Sequence, residues 1–459
     1  MTGEPRTRFL DGLLGLFGRA PRVRARELPN LADALLSGRG EASGIALAHQ
    51  LLTTYSGLDL EEKQWFLDVL AERFGVEPAR VDRAIEEYRR DPGPRTAAGL
   101  HRAAEPRRQE LIRRLNAAPG GTLALIRMRE DVLQEATELE AMRAVDADFV
   151  HLFSSWFNSG FLVLERIDWS TPARILQKII QYEAVHAITS WEDLQRRLDP
   201  SDRRCFAFFH PRLSGEPLIF VEVALTSAIP EAIAPLLSDS RAPADVERAT
   251  TAVFYSISNC QPGLRGVSLG NFLIKQVIDE LRRELPALRT FVTLSPVPGF
   301  AAWLRRERNS PDSARLNPTD RALLDTVDEA GWPQRSSARS ALKPVLLAAL
   351  ADYLVHARNS AGKPIDPVAR LHLNNGARLE RIDWLADLSP KGLAQGLGFM
   401  VNYLYDPARI VENHERFAGK GEVVMSPSVR KLLLPGPSLP SEPSLPDPEP
   451  AARSGGRAS

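Results

Sequence analysis

The stretch "TTAVFYSISNCQPGLRGVSLGNFLIKQVIDELRREL", Thr250 to Leu285, decides how the fold is read. Its first ten residues are uncharged and rich in β-branched and aromatic side chains, as in a buried strand. From Leu269 to Leu285 ("LGNFLIKQVIDELRREL") the apolar residues return at helical spacing, with charges between them. The loop between carries Gly263, Gly266 and Gly270, with Arg265 among them. Glycines let backbone approach a ligand, and a helix N-terminus offers unpaired N–H groups to an anion such as a pyrophosphate. No Gly-Lys-Ser/Thr follows, and the dinucleotide-fingerprint spacing is absent, so neither phosphate motif fits.

Working outward, "RRCFAFFHP" (203–211) and "EPLIFVEVALT" (216–226), joined by "RLSG", predict an antiparallel hairpin. "RTFVTLS" (289–295) predicts a further strand, with a helix beginning near Gly299. Strands followed by strand–helix–strand indicate a mixed α/β region. Upstream, residues 30–160 read as helical: "LEEKQWFLDVLAERFG" (60–75) sets Trp65, Phe66, Val69, Leu70 and Phe74 on one face. The fold class is therefore α+β, an all-helical N-terminal domain (30–160) followed by a mixed α/β catalytic domain (161–433). Packing and oligomer contact are the roles expected of the helical part.

The flanks read differently. Residues 1–29, with "FLDGLLGLF" between arginines, form a flexible segment, either a surface helix or an arginine-rich presequence. Residues 434–459, rich in Pro and Ser without aromatics, read as a disordered tail. The hexapeptide "LERIDW" occurs at 164–169 and again at 379–384, each time ahead of a Ser/Thr-Pro helix start.

Composition narrows the function classes. Across 459 residues the net charge is zero, with 25% charged and 44% hydrophobic residues, which favours neither nucleic-acid nor membrane-surface binding. No apolar run approaches a membrane span. Two cysteines, Cys205 and Cys260, make no disulfide scaffold or four-thiolate site, and a cytoplasmic location is expected.

Ser295 stands between the predicted strand and the Pro296-Val297-Pro298 run. Two prolines stiffen that turn and hold a hydroxyl in one place. Taken alone, a serine ahead of proline reads as a turn residue. His372, flanked by Leu371 and Leu373, lies in a strand-like run, and His151, His186, His210 and His356 compete with it for any acid–base role.

The 265–270 loop resembles the acyl-CoA pyrophosphate loop of the GNAT acyltransferase fold, Arg/Gln-x-x-Gly-x-Gly/Ala. Arg265, Ser268 and Gly270 take its positions, and Ser268 stands where glycine is usual. "GEPLIFVEVALT", "AVFYSIS", "GVSLGNFLIKQV", "LSPVPGFAAWL", "LHLNNGARLERIDWLAD" and "GFMVNYLYD" follow in the order of the malonyl-CoA decarboxylase family, which the chain resembles over roughly 169–406. The resemblance implies a GNAT-like catalytic domain and decarboxylation of malonyl-CoA to acetyl-CoA and carbon dioxide, with neither metal nor organic cofactor. It implies CoA binding by Arg265, Gly266, Val267, Ser268, Leu269, Gly270 and Asn271. It selects His372 as the acid that protonates the enolate carbon, with a near-neutral pKa, and Ser295 as donor to the carboxylate or thioester oxygen. Tyr403 and Lys178 match further family positions. A homotetramer, as a dimer of dimers, is implied as well. The alternatives are an acyl-CoA N-acyltransferase, which would keep the loop without needing Ser295 and His372 together, and a non-enzymatic binding protein.

Overall fold

The computed structural model describes residues 23–37, 40–135, 139–267, 269, 273–310 and 315–433. The readings of residues 1–22 and of the Pro/Ser-rich tail from 434 onward lie outside the described residues, as do Ser268, Gly270 and Asn271. The chain forms two compact units. One runs to Ser295 and includes Tyr405–Pro407; the other comprises Pro296–Leu404 and the residues from Ala408.

The first unit opens with eight helices among the described residues, from Val23–Leu36 to Glu140–Trp156. In Leu60–Arg73 the expected face is buried, and Asp59 and Glu62 close a capping box at its start. Arg108, itself buried, is ion-paired with Asp148 of the last of these helices.

Five strands follow: β1 (Val163–Ile167), β2 (Arg203–Phe209), β3 (Pro217–Thr226), β4 (Thr251–Asn259) and β5 (Thr290–Thr293). β1–β2, β2–β3 and β3–β4 pair antiparallel, and β4–β5 pair parallel. Parallel pairing needs a crossover, supplied by the helix Leu273–Glu284, whose Leu273, Ile274, Val277, Ile278 and Leu281 are buried as the periodicity predicts. β2 and β3 are the expected hairpin. Ile175, Leu176 and Ile179 of the helix Ala173–Tyr182 join the core formed with Ala207, Phe209 and Phe220.

The two-residue strand β6 (Ser295–Pro296) spans the division, and the second unit continues with the helix Phe300–Asn309. The long helix Ser336–His356, the short helix Pro367–Asn374, and the antiparallel pair β7 (Arg378–Asp383) and β8 (Met400–Leu404) follow. No helix among the described residues is long and apolar enough to cross a membrane.

The two "LERIDW" copies form β1 and β7, but their helix starts differ. Ser389 caps Pro390–Gly396 by accepting from Gly392 N–H, as expected. Thr171 caps nothing: its hydroxyl accepts from Asp168 N–H at 3.0 Å and closes the preceding turn, and Pro172 occupies the cap position. The Asp168 turn competes for the threonine side chain.

Candidate active site

In the first unit the candidate residues gather at the carboxyl ends of the parallel strands. β4 and β5 pair only from Thr251↔Thr290 to Phe254↔Thr293. Beyond Phe254 the register of β4 against β3 shifts, so that Val223 faces Phe254 and Glu222 faces Ser256, leaving Tyr255 as the extra residue. The glycine loop leaves the end of β4 and Ser295 follows the end of β5. The carboxyl ends of parallel strands are where open α/β sheets bind ligands.

The loop divides into an anchored half and an open half. A Cβ at Gly263 would come within 2.1 Å of the Ile126 carbonyl oxygen, so this glycine serves contact with the helix Gly121–Glu135 and not approach to a ligand. Arg129, buried and ion-paired to Asp146, donates to the Gly263 carbonyl at 2.7 Å, and Gly263 N–H donates to Glu130 at 3.2 Å. Gly266, at φ +80°, faces open space, and Arg265 is exposed with no ion-pair partner among the described residues. Val267 and Leu269 are buried and fix the loop's far side.

Ser295 is buried, and its hydroxyl donates to Thr293 Oγ1 at 2.8 Å. Thr293, fully buried at the end of β5, was not singled out from sequence; its signal was its place two residues before the serine, on the same side of an extended chain.

Lys178, on the helix Ala173–Tyr182, is partly buried. Its ammonium donates to the Gly215 carbonyl at 3.0 Å and is ion-paired with Glu216, at the hairpin turn between β2 and β3. Nearby in the fold lies a buried polar cluster that sequence reading missed. Ser256 and Ser258 both donate to Glu183, at 2.7 and 3.1 Å, and Arg197 donates to Glu222 at 3.2 Å. Burial, reinforced by the Glu183 charge, pushes the Glu222 carboxyl up to about 8.

His372 and Tyr403 belong to the second unit, and there they meet. The imidazole and phenol rings stack with centroids 4.7 Å apart and planes 28° apart, both residues buried. His372 does not sit in a strand. It lies on the helix Pro367–Asn374, with Leu373 buried and Leu371 45% exposed. The apolar–polar alternation of "LHL" was misleading because the element is only two turns long, too short for a period to show. Its ends were legible: Asp366 caps it with Pro367 at the first helical position, and Gly376 follows its end at φ +80°. The expected near-neutral pKa is also corrected. Burial pushes His372 down from 6.5 to about 3, so the resting imidazole is neutral.

Residues 160–441 match the malonyl-CoA decarboxylase C-terminal domain, and residues 74–157 match the malonyl-CoA decarboxylase N-terminal domain. A crystal structure of malonyl-CoA decarboxylase from Rhodopseudomonas palustris is 56% identical with a TM-score of 0.87, over 89% of this chain and 99% of that one. The Agrobacterium vitis structure is 55% identical with a TM-score of 0.84, over 88% and 99%. A mitochondrial malonyl-CoA decarboxylase of Anser anser anser is 35% identical over 448 residues, 90% of this chain and 88% of that relative. With both of its domains matched and close structural relatives along most of its length, the chain belongs to the malonyl-CoA decarboxylase family.

Proposed function

We propose that this carboxy-lyase converts malonyl-CoA to acetyl-CoA and carbon dioxide through a thioester enolate, with His372 and Ser295 as its catalytic groups. The substrate carboxylate lies β to the thioester carbonyl. As the C–C bond breaks, its electron pair moves into that carbonyl and gives an enolate; one proton then goes to the carbon. No external electron acceptor is required.

The observation that carries this reading is the family match together with the fixed hydroxyl of Ser295, following the end of β5 on the sheet edge where the open half of the glycine loop leaves β4. Ser295 would turn its one proton from Thr293 to the carboxylate or the thioester oxygen when substrate binds. Arg265 to Asn271 would hold the CoA pyrophosphate, with Ser268 adding a hydroxyl where glycine is common. His372 is neutral at rest, and an anionic substrate favours its charged form. A proton taken up with the substrate is then the one delivered to carbon. Tyr403 walls the imidazole, and Lys178, held by Glu216, supplies a fixed positive charge.

Malonyl-, methylmalonyl- and acetyl-CoA assayed for carbon dioxide release, with and without an amine, test the proposal. Acetyl-CoA and carbon dioxide from malonyl-CoA without acceptor are expected; acyl transfer to the amine without carbon dioxide release would establish the N-acyltransferase instead. We propose further that residues 30–160 assemble a homotetramer, a dimer of dimers, which light scattering checks. The two-cysteine composition supports a cytoplasmic location, testable by cell fractionation.

A further inference from the structure

The Ser-Pro-Val-Pro-Gly-Phe motif contains a glycine, Gly299, that the proposed chemistry does not use. A Cβ at Gly299 would come within 2.4 Å of the Tyr353 hydroxyl. Tyr353, on the helix Ser336–His356, is buried, with its ring held between Phe300 (centroids 5.7 Å) and Trp303 (5.1 Å). Its hydroxyl donates to Asp366 Oδ2 at 3.2 Å. The other oxygen of Asp366 accepts from Val368 N–H at 3.0 Å and Ala369 N–H at 2.8 Å. Those bonds cap the two-turn helix that carries His372.

We propose that Tyr353 and Asp366 are positioning residues for His372, and that Gly299 is a glycine so that the tyrosine hydroxyl can reach the cap.

A helix of eight residues is too short to hold itself in water, so its ends must be fixed from outside. At its carboxyl end, the N–H groups of Asn375 and Ala377 both donate to the His372 carbonyl at 3.1 Å. At its amino end the Asp366 cap sets where the first turn begins, about 9 Å along the axis from His372. Burial pushes the Asp366 carboxyl up, and the two amides and the Tyr353 hydroxyl pull it back towards the charged form that caps best. Losing the hydroxyl therefore weakens the cap twice, through a missing bond and a more readily protonated carboxyl. The rings of Phe300 and Trp303 tie this arrangement to the residues that follow the motif's prolines. A small rotation of so short a helix shifts the imidazole against Tyr403, and misplacement by 1 Å is enough to slow a reaction strongly.

The inference rests on His372 being the proton donor. Tyr353→Phe is expected to lower kcat on malonyl-CoA about tenfold, with KM within about twofold. Gly299→Ala should do the same by displacing the hydroxyl, and the double variant should be no worse than either single one. Asp366→Asn, which can still cap, should keep kcat within about threefold, whereas Asp366→Ala loses at least as much as Tyr353→Phe. In a His372→Asn background Tyr353→Phe should have no further effect. Full activity in Tyr353→Phe, losses that multiply in the double variant, or an equal loss without His372 would overturn the inference. A direct readout separates it from the reading it rests on: the His372 ring-proton NMR resonance should move in Tyr353→Phe, and an unmoved resonance overturns the positioning role. Wild-type turnover in His372→Asn would overturn the assigned acid instead, whatever the resonance does.

Discussion

The imidazole of His372 lies against the phenol ring of Tyr403, centroids 4.7 Å apart, with both side chains withdrawn from water. That contact sets the chemistry available to the histidine, because a ring packed on a ring cannot keep the hydration that a charged imidazole needs. Tyr403→Phe retains the wall and should leave the His372 pKa low. Tyr403→Ala opens a cavity, costs about 3–5 kcal/mol of stability, and lets water raise the pKa towards 6.5. An NMR titration of both variants checks the pair.

The depressed pKa of His372 has a signed consequence for stability. The unfolded chain takes up a proton near 6.5 and the folded one only near 3. The stabilisation is thus complete above 6.5 and is lost as pH falls through that window, by about 2 kcal/mol at pH 5. Denaturant titrations of wild type and His372→Asn at neutral pH and near pH 5 should show the wild type losing more.

Ser295→Ala should lower kcat on the order of a hundredfold or more, the usual cost of one donor at a reacting oxygen. Thr293→Val removes the resting partner that holds the serine hydroxyl in place before substrate takes its proton, while preserving volume. A smaller loss, about tenfold, is expected. Steady-state kinetics on both variants, with matched melting curves, distinguish aim from fold.

The two glycines of the loop should fail differently. Gly263→Ala drives a methyl into the Ile126 carbonyl, and a loss of about 3 kcal/mol is expected in thermal unfolding. Gly266→Ala has room but must hold φ +80°, at about 1 kcal/mol. Its effect should therefore appear mainly as a raised KM for malonyl-CoA.

Glu222 supplies a pH dependence of opposite sign. Its folded pKa, raised from 4.5 to about 8, gives stability that is complete below 4.5 and is lost as pH rises through 8. Glu222→Gln removes that term, so its stability relative to wild type should improve steadily from about pH 5 to pH 8. Parallel denaturant curves test the slope.

Much of the fold was legible because its elements are long enough to show a pattern. The β2–β3 hairpin and the strand β4 are buried on both faces and read as nearly continuous apolar runs, while the crossover helix Leu273–Glu284 spreads its buried residues along one face. The His372 helix was not legible as a period, since in eight residues a leucine on each side of the histidine mimics a strand, whereas the helix buries one of those leucines and exposes the other. Its Asp366-Pro367 start and Gly376 stop were the readable signals. Gly263 and Gly266 look alike in sequence, and only one of them touches another element.

By itself the sequence determined the order of helices and strands, the glycine loop between β4 and its following helix, and the stiff mount of Ser295. These depend on local preferences: apolar spacing, the freedom of glycine, the fixed φ of proline. The tertiary structure alone decided that Lys178 is held by Glu216 and that Tyr403 covers His372. It also decided that His372 is neutral. A pKa answers to the water and charge around a group, and those are brought there by chain segments distant in sequence.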